Sequence, residues 1–122
     1  MCREEKSMSY DLRIAVKIEG LDQFAQIAEP YLSNPTYNLR DMFVACMDWD
    51  YTQGEYYPCK DVLPKVERGI TELRTKPRQY DKYNSPNGWG TREGAIKTLE
   101  SLRRCILDEA ENIPIEHLWM AW

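Results

Sequence analysis

The chain contains a single histidine, His117, no C-x-x-C pair and no excess of basic residues, and each shortage removes a class of function. Cys2, Cys46, Cys59 and Cys105 are widely scattered. With one imidazole to accompany them, neither a zinc knuckle nor a dithiol redox motif can be drawn, and all four are expected to be reduced. Lys and Arg number 16 against 20 Asp and Glu, a net charge of -4. That balance argues against a protein that tracks phosphates, which needs clustered cations to displace counterions, so no direct nucleic-acid binding is expected. A cationic protein partner is compatible with it. No apolar run is long enough to span a bilayer, and the N-terminus lacks the apolar region of a signal peptide. The expectation is therefore a cytoplasmic protein with no membrane segment.

What is present is an ordinary globular composition, rich in Tyr and Trp, over 122 residues. One core of that size folds without a metal or a disulfide, so one domain and no cofactor are expected. Residues 1–7 are polar and charged and read as a flexible N-terminal extension; the single globular domain is expected over 8–122.

Tyr10, Leu12, Ile14, Val16 and Ile18 alternate with Asp11, Arg13, Ala15 and Lys17, the period of a strand with one face in the core. Glu19-Gly20-Leu21-Asp22 reads as a turn. Phe24 to Glu29 then returns as an antiparallel partner or, over Gln23 to Ala28, as a short helix before Pro30. Leu39, Met42, Phe43 and Cys46 or Met47 share a helical face, with Asn38 as N-cap and Thr36 as its competitor. Asp48 to Pro58 has no sustained period and reads as a long connection or a second small hairpin.

Val62, Leu63, Val66, Ile70 and Leu73 predict a helix over about Asp61–Arg74, with Pro64 acceptable only in its first turn. Gly69 inside that stripe costs about 1 kcal/mol against alanine, which suggests that another backbone comes close. Pro77 ends the helix, and Arg78 to Tyr83 is expected to add a turn presenting Tyr80 and Tyr83 together. Ala95, Ile96, Leu99, Leu102, Ile106, Leu107 and Ala110 predict the longest helix, capped by Thr91. Ile115 to Trp122 is expected to add a strand to the sheet begun by Tyr10, which would also dock its rings on the body of the protein. The fold class that follows is α+β: a small, mostly antiparallel sheet with about three helices packed on one face.

Met8-Ser9-Tyr10-Asp11-Leu12, Pro35-Thr36-Tyr37-Asn38-Leu39, Leu63-Pro64-Lys65-Val66-Glu67-Arg68-Gly69-Ile70 and Asn87-Gly88-Trp89-Gly90-Thr91 form a set. As a set they resemble an uncharacterised family of small bacterial and phage proteins with a Tyr-Asp strand, a Thr-Tyr-Asn loop and an Asn-Gly-Trp-Gly turn before the last long helix. The resemblance implies a single domain and a phage or mobile-element setting.

Candidate chemistry is sparse. His117 has no serine or cysteine nucleophile paired with it by motif, so a buried or partly buried histidine with one hydrogen-bonded nitrogen is expected. Asp48 and Asp50 flank Trp49 near Glu55, but without the oxygen-rich loop of a calcium site they read as a solvated acidic turn, and no metal site is expected. The two polar loops remain. Thr36, Tyr37 and Asn38 stand before one helix, and Asn87, Trp89 and Thr91 before another. If both open on one end of the sheet, their N–H groups would favour a small polar or anionic ligand with Trp89 as a stacking wall. The plainer reading is that they cap helices. Three functions follow, in order: a non-catalytic factor binding a host protein, with antagonism of a defence system as its setting; a binding module or sponge for a nucleotide-like ligand; and a carboxylate-dependent enzyme. The sequence leaves the oligomeric state open.

Overall fold

The computed structural model describes residues 9–85, 88 and 90–122. Its elements in order are β1 (Arg13–Lys17), β2 (Phe24–Ala28), a 3-10 turn (Tyr37–Leu39), α1 (Arg40–Met47), β3 (Tyr56–Pro58), α2 (Cys59–Thr75), α3 (Pro77–Asp81), α4 (Arg92–Ala110), a second 3-10 turn (Ile115–His117) and β4 (Leu118–Ala121). The four strands form one sheet in the order β2-β1-β4-β3, every pair antiparallel. This is the α+β architecture the periodicities predict, with Pro77–Asp81 as a short fourth helix.

The pleat decides what each face carries. Ile14 lies opposite Met120 and Val16 opposite Leu118, and these residues join the buried faces of the helices in one apolar cluster with Phe43, Val66, Leu99 and Leu102. The helices therefore cover this front face. On the back, Ala15 lies opposite Trp119 and Arg13 opposite Ala121. Ala15 and Ala121 are fully buried there, beneath rings supplied by the sheet itself. Phe24 of β2 and Tyr56 of β3 stack at 4.2 Å between centroids, and Trp119 lies 5.2 Å from Phe24. Those two strands are the opposite edges of the sheet, about 14 Å apart if it were flat, at some 4.8 Å per strand. The sheet must coil strongly for the rings to meet.

The first strand is shorter than its alternation suggests. Tyr10 and Leu12 are buried as expected, but their N–H groups go to Pro35 and Ser33 carbonyls rather than to a sheet partner. Ile18, expected in the core, is 38% exposed, because its backbone closes the hairpin with Gln23 and Leu21 beyond the reach of the helix layer. Phe24 to Ala28 forms the strand, not the helix, and Ile27 is inserted as a bulge between the pairs Ile14–Ala28 and Ala15–Gln26.

Two helix expectations need correction. α2 begins at Cys59, so Pro64 is its sixth residue and not in its first turn; the proline removes the N–H that would bond the carbonyl of exposed Lys60, which water can serve. Gly69 is indeed at a close approach, but of side chains rather than backbone. A Cβ there would stand 2.9 Å from Leu99 Cδ1, 2.9 Å from Met47 Cγ and 3.1 Å from Cys46 Sγ, so the missing methyl lets α1, α2 and α4 pack together.

Candidate functional site

The two polar loops come together. The Tyr10 and Leu12 N–H groups donate to the carbonyls of Pro35 and Ser33, the Asn34 amide donates to the Tyr10 carbonyl at 2.9 Å, and these bonds pin the Thr36 loop against the segment that leads into β1. On the other side, Gly88 and Gly90 take φ of +80° and +93°, the left-handed region that glycine enters without strain. Their turn is closed by Ser85 N–H to the Gly90 carbonyl and Gly88 N–H to the Ser85 carbonyl, each at 3.1 Å. A Cβ on Gly90 would lie 3.0 Å from Asn38 Cβ and 3.4 Å from Thr36 Cγ2. The glycine is thus where one loop rests on the other.

Between them lies a cavity of about 530 Å³, into which Thr36, Thr91, Lys97 and Thr98 face, with Tyr31 and Leu32 at its rim. Of the residues that sequence reasoning assigned to a ligand, Thr36 and Thr91 line this space and Asn38 borders it through Gly90. Tyr37 does not; its ring packs on Tyr10, 5.3 Å between centroids. Asn87 and Trp89 lie outside the described residues.

The helix starts are already served by protein groups. Thr91 Oγ1 accepts the Gly94 N–H at 3.2 Å, and the Arg92 N–H goes to Asn84 Oδ1 at 2.7 Å. Thr36 Oγ1 accepts the Asn38 N–H at 3.3 Å. Thr36, not Asn38, is therefore the capping side chain, because the chain enters α1 through a 3-10 turn whose first free N–H falls two residues after Thr36. With those donors engaged, Lys97 supplies the cationic side chain among the described residues that line the cavity. Arg92 stiffens the site from behind, donating to Asp81 at 2.8 Å and to the Leu73 carbonyl at 2.9 Å.

A larger groove, about 1080 Å³, adjoins the first. Its floor includes Ile70 and Ala28, and salt bridges of Arg74 with Glu100 and of Arg103 with Glu67 cross it from α2 to α4. Tyr31, Leu32 and Lys97 belong to both spaces, and Tyr31 is 95% exposed. Sequence reasoning missed Tyr31, Lys97 and Thr98. Thr98 had a signal, a polar residue in phase with the apolar stripe of α4; a tyrosine after Pro30 carried none.

The remaining candidates are structural. His117, expected to be buried or partly buried, is exposed, because the second 3-10 turn holds it outside the core as the chain enters β4. Asp48 ends α1 with φ of +54°, and Asp50 pairs with Arg40 at 2.7 Å. Among the described residues no three His, Cys, Asp or Glu side chains gather as a metal site would require, and no helix is long and apolar enough to cross a membrane. Cys46, Cys59 and Cys105 are free thiols, while Cys2 lies outside the described residues. Burial pushes Cys46 and Cys59 up to about 12 and Cys105 up to about 11, out of the range of a nucleophile at neutral pH. No protein-family model, curated protein or solved structure matches the chain.

Proposed function

We propose that this is a non-catalytic protein-binding factor that anchors a partner through Tyr31. The observation that carries the reading is the position of that ring: almost wholly free of the protein's own contacts, next to half-exposed Leu32, at the junction of the two cavities. A tyrosine offers a large rigid contact area with a polar tip and little side-chain entropy to lose, which suits an interface anchor. The acidic balance and the family resemblance favour a host protein as partner, with antagonism of a defence system as the setting. Tyr31→Ala with Leu32→Ser tests this. Both side chains are exposed, so the melting temperature should stay within about 2 °C, while a host protein captured by the wild type should no longer be retained. Equal capture by the variant would refute Tyr31 as the anchor.

A second reading, a small nucleotide-like ligand between the two loops, is favoured by the contact of Gly90 with Thr36 and Asn38 and by Lys97 facing the same space. A thermal-shift panel of nucleotides separates it from the first, since a ligand of the native state raises stability by mass action. Lys97→Met should abolish such a shift and leave partner capture unchanged.

A further inference from the structure

The smaller cavity has a floor and a mouth of different character. At the floor are Leu39 and Thr98, each 3% exposed and neither charged. The Thr98 hydroxyl makes no hydrogen bond among the described residues, yet it is not sealed in protein, since Trp122 Nε1 is the fully enclosed polar side-chain atom left without a partner there. The little surface that Thr98 keeps therefore includes its hydroxyl and opens on the cavity it lines. A polar group so buried and unpaired costs stability unless something meets it. At the mouth stands Lys97, which is exposed.

The wall between them is made of donors. Thr36 and Thr91 each accept a backbone N–H, which leaves each hydroxyl its own proton to donate. Gly94, between Thr91 and Thr98 on α4, keeps that wall open: beyond its chain neighbours and its own helix, a Cβ there would meet only Thr91 Oγ1 within 4 Å, at 3.4 Å. Among the described residues no Asp or Glu lines the space, although the chain has 20 of them. Hydroxyl protons and one cation, unopposed by carboxylate, suit a ligand rich in acceptors with one anionic end.

We propose that the cavity takes a nucleoside monophosphate, its base inward on Leu39 and Thr98 and its phosphate outward on Lys97; this rests on the nucleotide reading above and adds the orientation and the number of phosphates. The orientation follows from charge. A phosphate at the floor would be buried without a cation, a cost that a neutral base escapes, and a hydroxyl can both donate to and accept from the edge of a base. Further phosphates would find no second cation among the described residues that line the cavity. The adjoining groove, which shares Lys97, has Arg74 and Arg103 tied to Glu100 and Glu67, and its Arg104 stands against Glu29, Asp108 and Glu109. That surplus of carboxylates repels a longer phosphate chain.

Isothermal titration calorimetry of the full chain with the four common ribonucleoside monophosphates, their nucleosides and their triphosphates, all without divalent metal, tests the assignment. At least one monophosphate should bind about tenfold tighter than its nucleoside and about fivefold tighter than its triphosphate. Thr98→Val keeps the shape of the side chain and removes the hydroxyl, and should weaken monophosphate and nucleoside alike by about tenfold. Gly94→Leu should fill the cavity and abolish binding of both. Melting curves without ligand establish that the two variants fold. A triphosphate bound as tightly as the monophosphate, or a Thr98→Val that weakens the monophosphate and spares the nucleoside, would overturn the proposal and leave the nucleotide reading standing. Monophosphate affinity unmoved by Thr98→Val would mean that the hydroxyl meets only water, and would overturn it too. Binding of no nucleotide at all would remove the reading and the proposal together.

Discussion

The two faces of the sheet both bury aromatic rings, and they do so by different means. On the front, Trp122 stacks on Tyr51 at 4.5 Å, with Tyr10 at 5.9 Å and Phe43 at 5.4 Å, all beneath the helices. The Tyr10 and Tyr51 hydroxyls hydrogen-bond each other at 2.6 Å, and burial raises both phenols above the ordinary tyrosine value. On the back no element among the described residues lies over Phe24, Tyr56 and Trp119, so the rings are partly exposed and cover Ala15 and Ala121 themselves. Cations finish that cover: Arg13 sits 5.3 Å from the Tyr56 ring and donates to its hydroxyl, and Lys17 sits 5.9 Å from Trp119. What the contrast teaches is that the value of a ring to the fold is set by what covers it. Trp122 and Trp119, three residues apart in one C-terminal segment, illustrate both outcomes.

The largest effect should come from the front. Trp122 is 1% exposed, and Trp122→Ala should destabilise by about 4 kcal/mol, the range for a buried large aromatic, read as a lower urea midpoint. A loss no greater than that of Trp119→Ala would break the comparison. Trp122→Phe should cost much less, because Trp122 Nε1 is buried without a hydrogen-bond partner among the described residues and its removal relieves a desolvated donor. Gly69→Val comes next, at about 2 to 3 kcal/mol, since its side chain would meet Leu99 and Met47 inside contact distance; a neutral result would mean that the three helices separate at little cost. On the back, Phe24→Ala should cost about 1.5 kcal/mol, the value of a half-buried ring and its stacked pair. The smallest change is Lys17→Met, within about 0.5 kcal/mol, because Lys17 is half-exposed and its contact with Asp22 is a surface ion pair at 3.9 Å. A larger loss there would show that the cations hold the back cluster together.

Much of this contrast was legible in the residues, and the parts that were not share a cause. Alternation from Tyr10 to Ile14 and the stripe from Ala95 to Ile106 report which side of an element is apolar, and both faced the core as read. Thr91 capped its helix and Gly90 met the other loop, because positive φ and close approach leave a local mark in sequence. The meeting of Phe24 with Tyr56 depends on how far the whole sheet coils, a property no single segment carries. β3 was equally hidden, since three residues ending in Pro58 are too few for a period. Asn38 lost the capping role to Thr36 because a 3-10 entry moves the free N–H, a shift of two residues that pattern alone does not resolve. At the candidate site, polar loops were visible as composition, but the free ring of Tyr31 follows from the shape of the surface around it.

The strand order has a consequence for the history of the molecule. Ile14 pairs with Met120, so β4 is an inner strand of the sheet although it is the last to be synthesised of the four. Until it arrives, β1 has β2 on one side only, and β3 has no sheet partner among the described residues. Pairings between such distant segments are slow to form, because a long loop must close before any contact rewards it. The sheet is therefore complete only when Leu118 to Ala121 pairs with β1 on one side and β3 on the other.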